Sequence, residues 1–204
     1  PFTGGLVGYF SYDYIQYAEP SLKTSPENAG DFRDMDLMLF DRVIVFDNYR
    51  QKLILIAGID TADPAAGYAS AQQELLEMEQ LLTSGAKAVF RPLKLTSPLE
   101  LCFSKEKYMG MVEKARHYIH EGDIFQVVLS NPMEAQAEGS LFDVYRVLRT
   151  TNPSPYMFYF SSDDIEVSGA SPETLAKLQD GILHTFPLAG TRPRGATPEE
   201  DQRL

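Results

Sequence analysis

Four stretches combine residue types that can do chemistry. Gln126 sits inside Ile-Phe-Gln-Val-Val-Leu, residues 124–129. Period-two alternation places Ile124, Gln126 and Val128 on one face and Phe125, Val127 and Leu129 on the other. Both faces are otherwise apolar, so a strand over 123–130, buried on both sides, is expected. An amide there is either a satisfied core glutamine or a polar group presented to a ligand. Glu173 ends Gly-Ala-Ser-Pro-Glu, residues 169–173. Small residues and a proline let a ligand approach the backbone, and Glu173 is then a candidate acid; its bland alternative is a solvated loop carboxylate. In PLAGTRPRG, residues 187–195, Gly190 and Thr191 offer open backbone amides and a hydroxyl suited to a carboxylate. Arg192 and Arg194 are either cations for the same ligand or solvated loop residues. Pro155, Tyr156 and Met157 could line an aromatic pocket or belong to an ordinary buried strand.

The elements that must carry these residues can be read from periodicity and punctuation. Residues 6–11 read as a strand after the Gly4-Gly5 pair. Residues 37–46 and 52–59 are rich in Val, Ile, Leu and Phe, and predict a hairpin around Asp47-Asn48-Tyr49-Arg50. Asp63-Pro64 is an N-cap followed by a first-turn proline, opening a helix with Tyr68, Leu75, Met78 and Leu82 near one face and closed by Gly85. Residues 86–100 read as a crossover or linker. Ser104 caps a second helix, whose stripe is Tyr108, Met111, Val112, Ala115 and Ile119 and whose end is Gly122. Ser140 caps a third, which Asn152-Pro153 breaks. Strands follow over 156–160 and 165–168, then a hairpin whose arms 175–178 and 182–186 flank Gln179-Asp180-Gly181. Strand runs mixed with a few amphipathic helices, without regular alternation, predict an α+β fold.

Composition narrows the function classes. The 204 residues carry a net charge of -11, which disfavours nucleic acid and anionic membrane surfaces as partners. No apolar run approaches the length of a membrane span. Cys102 is the only cysteine; it has apolar neighbours in Leu101 and Phe103 and is expected to be a core thiol. A chain without a disulfide pair fits a reducing cytoplasm. His117, His120 and His184 lack the spacing of a zinc site.

Taken in order, GDIFQVVLS (122–130), NPSPYMFY (152–159), GASPETL (169–175) and PLAGTRPRG (187–195) resemble the chorismate-utilising enzymes. Within them they resemble component I of anthranilate synthase, and GGLVGYFSYD (4–13) is similar to an upstream motif of that subunit. Two positions select this branch. Water-adding relatives have a lysine base where Gln126 stands, and a glutamine amide has no usable basicity. Aminodeoxychorismate synthases carry a nucleophilic lysine where this chain has Ala189. Phe186 and the pair Asn131-Pro132 depart from the family pattern of Arg and Gln-Arg.

The resemblance implies a four-layer α/β/β/α fold with two orthogonally packed sheets. It divides the chain into the end of an N-terminal region, 1–98, and the first half of a chorismate-binding domain, 99–204, both incomplete. It implies conversion of chorismate and ammonia to anthranilate and pyruvate in tryptophan biosynthesis, with ammonia from a glutamine amidotransferase subunit. Glu173 and Gln126 match catalytic positions, Glu173 as the acid for the leaving hydroxyl, its pKa raised by burial or a neighbouring carboxylate. Ala189, Gly190 and Thr191 match chorismate-binding positions, and Pro155, Tyr156 and Met157 match the site of feedback inhibition by tryptophan. Mg2+ is the implied cofactor, its ligands lying beyond Leu204, so none is expected in this chain. The start at Pro1 and the stop at Leu204 are expected to mark an internal piece of a longer polypeptide. An aminodeoxychorismate synthase and a non-catalytic tryptophan-binding module are the alternative readings.

Overall fold

A computed structural model describes residues 2–22, 32–85, 87–188 and 190–204. The chain divides into two compact units, Pro1–Ala88 and Val89–Leu204.

In the first unit, β1 (Gly5–Phe10) pairs antiparallel with β2 (Met35–Phe40), and Gly8 stands opposite Leu37. After β1 the chain turns into α1 (Ile15–Ala18). Asp34, just before β2, accepts hydrogen bonds from the Ser11 hydroxyl at 2.8 Å and the Tyr17 hydroxyl at 2.7 Å, so the Tyr-Phe-Ser-Tyr stretch is tied to the start of its partner strand. β3 (Arg42–Asp47) and β4 (Lys52–Ala57) form the predicted hairpin, with Asp47 accepting from the Arg50 amide across the turn. The single strand expected over 37–46 is instead β2 and β3, separated at Asp41. Each half has a different partner, and one strand cannot serve both ladders without breaking. α2 (Pro64–Thr83) opens as predicted, the Asp63 carboxylate accepting from the Ala66 amide at 3.1 Å. Its buried residues are Ala71 and Met78, while Tyr68, near the helix start, is 61% exposed.

The second unit begins with β5 (Lys94–Leu95) and β6 (Glu100–Leu101), short strands within the stretch read as a linker. α3 (Lys105–Glu121) starts on the Ser104 hydroxyl, which accepts from the Lys107 amide, and ends at Gly122 in the left-handed region, φ 84°. β7 (Met133–Glu134) pairs with β6, and β8 (Ala137–Glu138) with β5. α4 (Phe142–Thr151) leads to β9 (Tyr156–Ser161) and β10 (Glu166–Ser171), an antiparallel hairpin. β11 (Lys177–Gln179) and β12 (Ile182–His184) close around Asp180-Gly181, both at positive φ as a primed two-residue turn requires. α5 (Pro198–Arg203) follows the last loop.

The fold is thus mixed α and β, and its described strands pair as two-stranded antiparallel ladders. The expected strand over 123–130 is absent. Those residues lie outside any ladder, Gln126 is exposed, and Phe125 is 93% exposed. Alternating apolar residues make a strand only when a neighbouring edge supplies hydrogen bonds. Here pairing starts further on, where Cys102 donates to Pro132 and β6 meets β7. Asn131, one of the two departures from the family pattern, has a structural role at that point. Its side chain accepts from the Phe103 amide at 3.0 Å and donates to the Phe103 carbonyl at 3.1 Å, extending the ladder by one side-chain rung.

α4 is anchored to the β9–β10 hairpin by Glu166. This carboxylate accepts from the Leu141 amide and from the Ser140 hydroxyl at 3.0 Å, meeting the helix N-terminus from across the fold. Ser140 in turn accepts from the Phe142 amide. The Leu141 amide holds the Glu166 carboxyl below its ordinary range against partial desolvation, and the Tyr159 and Ser140 hydroxyls add to the lowering. A lowered folded value stabilises the fold above the unfolded carboxyl's pKa of about 4.3 and is lost as pH falls through the folded value. Glu166→Ala is therefore expected to cost about 1 kcal/mol at pH 7, the size of a lost helix cap. Urea denaturation should show the gap between wild type and variant narrowing below about pH 4.

Candidate functional site

Glu173 is held by its neighbours on both sides. β10 ends at Ser171, which is the register partner of Tyr156 at the start of β9. The Ser171 hydroxyl accepts from the Glu173 amide at 3.3 Å and lies 3.3 Å from the Glu173 carbonyl, to which it can donate. One residue on, the Thr174 hydroxyl donates to the Tyr156 hydroxyl at 2.7 Å. The loop therefore leaves the hairpin at Ser171 and returns to Tyr156, with Glu173 exposed at its turn. Tyr156, Glu173, Thr174 and Lys177 line an open cavity of about 440 Å³. The hairpin register beneath is fixed by a close approach: a Cβ on Gly169 would lie 2.4 Å from the Phe158 ring, so only glycine fits there without displacing the ring.

The loop containing Gly190 and Thr191 is built differently. Gly190 has φ 85°, a conformation that side chains rarely adopt, with open space where a Cβ would be. Thr191 is exposed. Downstream, the Gly195 amide donates to Asp201 at 2.9 Å and the Ala196 amide to Glu200 at 2.8 Å, while Thr197 accepts from the Glu200 amide at 3.2 Å. These bonds cap α5 and fasten the loop to it. The Gly195 amide and then the Arg194 guanidinium hold the Asp201 carboxyl below its ordinary range. Arg194 forms an ion pair with Asp201, so it is committed within the loop rather than free for a substrate.

The remaining sequence-predicted residues are distributed as follows. Ala189 lies outside the described residues. Tyr156 and Met157 are the first two residues of β9 and Pro155 precedes them; Tyr156 is 46% exposed, and Met157 faces a more covered environment. Gln126 occupies the unpaired stretch after α3, not the doubly buried strand expected of it. Among the described residues no hydrogen bond or ion pair joins Gln126, Glu173 and Thr191 to one another. Thr174 and Ser171 were not singled out in the sequence, although two hydroxyls flanking a loop carboxylate are a signal for side-chain anchoring of that loop.

Cys102 is exposed rather than core. Its thiol lies 3.4 Å from a Glu134 carboxylate oxygen. Partial desolvation, and then that carboxylate, push its pKa up, which disfavours the reactive thiolate. Among the described residues no group of three or more His, Cys, Asp or Glu side chains comes together to hold a metal ion. No described helix is long and apolar enough to cross a membrane.

Comparison with known proteins accounts for the order of these loops. A family model described as chorismate binding enzyme matches residues 1–204. Anthranilate synthase component 1 of Acinetobacter calcoaceticus is 42% identical over the full length of this chain, which covers 42% of that protein. The protein of the same name from Saccharomyces cerevisiae is 37% identical over 99% of this chain and 41% of its own length. The crystal structure of anthranilate synthase component I from Streptococcus pneumoniae TIGR4 superposes with a TM-score of 0.76 at 34% identity, covering 91% of this chain and 42% of that one. The chain thus spans about two fifths of the relatives it matches. It belongs to the chorismate-binding enzymes, and among them it matches component I of anthranilate synthase.

Proposed function

We propose that this chain supplies part of the chorismate site of an anthranilate synthase large subunit. The observation that carries the proposal is the loop of Glu173, anchored on the Tyr156–Ser171 pair with its carboxyl free, in a chain whose whole length matches the family. In the reaction, ammonia forms a bond to ring carbon C2 while the bond from C4 to its hydroxyl breaks. Glu173 gives its proton to that hydroxyl, which departs as water. The enolpyruvyl group and the C2 proton are then lost as pyruvate, leaving the aromatic ring of anthranilate. The acid role requires the carboxyl to be shielded from bulk water when chorismate is in place, and bound substrate supplies part of that shielding.

The amides and hydroxyl at Gly190 and Thr191 receive a chorismate carboxylate, and the positive φ of Gly190 presents them without a covering side chain. Gln126 presents an amide that cannot deprotonate water, so ammonia rather than hydroxide is the nucleophile. Ala189 leaves the loop without the amine that a covalent route needs. Ammonia comes from a glutamine amidotransferase subunit, and tryptophan binds at Pro155, Tyr156 and Met157 as inhibitor. The four-layer arrangement with orthogonal sheets belongs to the same reading.

Residues outside 1–204 complete the site in this account, so the purified 204-residue chain is expected to make no anthranilate from chorismate and ammonium. Anthranilate fluorescence above a no-protein control would contradict that part of the proposal. In the complete polypeptide carrying the chain, the same assay should show ammonium-dependent synthesis.

A further inference from the structure

The Tyr156–Ser171 pair carries both ends of the Glu173 loop, and Tyr156 lies on the strand that would take tryptophan. The two features are one piece of structure. Between Ser171 and Thr174 the chain has Pro172 and Glu173 only. Ser171 constrains the backbone of Glu173, and Thr174 fixes where the loop returns. Thr174 suits this role because its branched Cβ limits the rotamers its hydroxyl can adopt, and because it is half-buried. The Tyr156 hydroxyl is at the end of a rigid ring, so a shift of that ring moves the acceptor that Thr174 holds. Because the same ring lines the cavity with Glu173, a ligand pressing on it reaches the loop directly.

We infer that Thr174, through its hydrogen bond to Tyr156, is a positioning residue for Glu173 and the link by which a ligand on the β9 face changes the placement of that carboxyl. This rests on the functional reading above and adds to it the route of regulation. The coupling is local: a ligand that binds better when the Thr174–Tyr156 bond is broken shifts the loop toward that arrangement by the ratio of its two affinities.

The test uses Thr174→Val, Thr174→Ser, Tyr156→Phe and the Thr174→Val/Tyr156→Phe double variant in the complete polypeptide. Loss of one positioning hydrogen bond is expected to lower kcat about tenfold in either single variant, with KM for chorismate changed less than about twofold. Tryptophan should bind at least as tightly to both as to wild type, while saturating tryptophan lowers their remaining activity by a smaller factor, because the bond it would break is already gone. Thr174→Ser should restore kcat and inhibition toward wild type. The double variant should resemble the singles, because both remove the same bond. Single variants within about twofold of wild type in kcat, or losses that multiply in the double variant, would overturn the inference. Hydrogen exchange on the complete polypeptide separates this outcome from failure of the functional reading. Amides of residues 173–176 should exchange faster in Thr174→Val than in wild type, and in Thr174→Ser remain close to wild type. Unchanged exchange overturns the positioning role even if the polypeptide makes no anthranilate. Faster exchange in a polypeptide that makes none upholds the link and rejects the reaction.

Discussion

Glu173→Gln in the complete polypeptide is expected to lower kcat for anthranilate formation by about 10²–10⁴-fold, the range for removing a positioned general acid. The substitution keeps the size of the side chain and removes its proton-donating group. The loop should survive it, because Ser171 bonds the backbone of Glu173 and Thr174 bonds Tyr156; neither contact uses the carboxyl. Chorismate affinity should therefore change far less than turnover. A steady-state comparison of kcat and KM, with calorimetric binding of chorismate, measures both. Turnover within tenfold of wild type would remove Glu173 from the chemistry.

Gly195→Ala should have the second large effect, on binding rather than turnover. A Cβ at this position would lie 2.3 Å from the Asp201 amide nitrogen and 2.7 Å from the Glu200 carbonyl carbon, both backbone atoms that cannot swing aside. The segment after Thr191 must move off α5, which breaks the Gly195 amide bond to Asp201 and strains the Arg194–Asp201 pair. Overpacking of this kind costs about 1–3 kcal/mol of stability. Because the displaced loop carries Gly190 and Thr191, KM for chorismate should rise about tenfold, equivalent to about 1.4 kcal/mol of lost binding. Chorismate saturation curves and a denaturation midpoint check the two parts. An unchanged KM in a destabilised variant would place the substrate carboxylate elsewhere.

What the sequence made legible was local. Asp63 before Pro64, Ser104 before α3, Gly122 after it and Asp180-Gly181 between β11 and β12 all act within a turn of their own position, and each does what its side chain or its φ allows. The failures are non-local. Residues 123–130 have strand-like alternation but no edge to pair with among the described residues. The apolar run at 37–46 breaks at Asp41 because its halves answer to β1 and β4, which no window of sequence reveals.

The same division runs through the candidate site. The family motifs mark Glu173 and the Gly190–Thr191 loop, yet what holds them comes from elsewhere. Glu166 caps α4 from 25 residues away, and Thr174 reaches Tyr156 across 18. Arg194 is either a ligand cation or a solvated loop residue in the sequence, and Asp201, seven residues on, engages it. Cys102 has apolar neighbours in sequence, while in space it meets the Glu134 carboxylate. In each case the partner in space decided the role.

The most direct measurement is product identification. Chorismate and an ammonium salt, with Mg2+, are incubated with the complete polypeptide carrying residues 1–204, and the products are separated by chromatography and mass. The account predicts anthranilate and pyruvate in equal amounts, with formation slowed about a hundredfold or more by Glu173→Gln. Aminodeoxychorismate or isochorismate in place of anthranilate, or anthranilate made equally well without the Glu173 carboxyl, would contradict it.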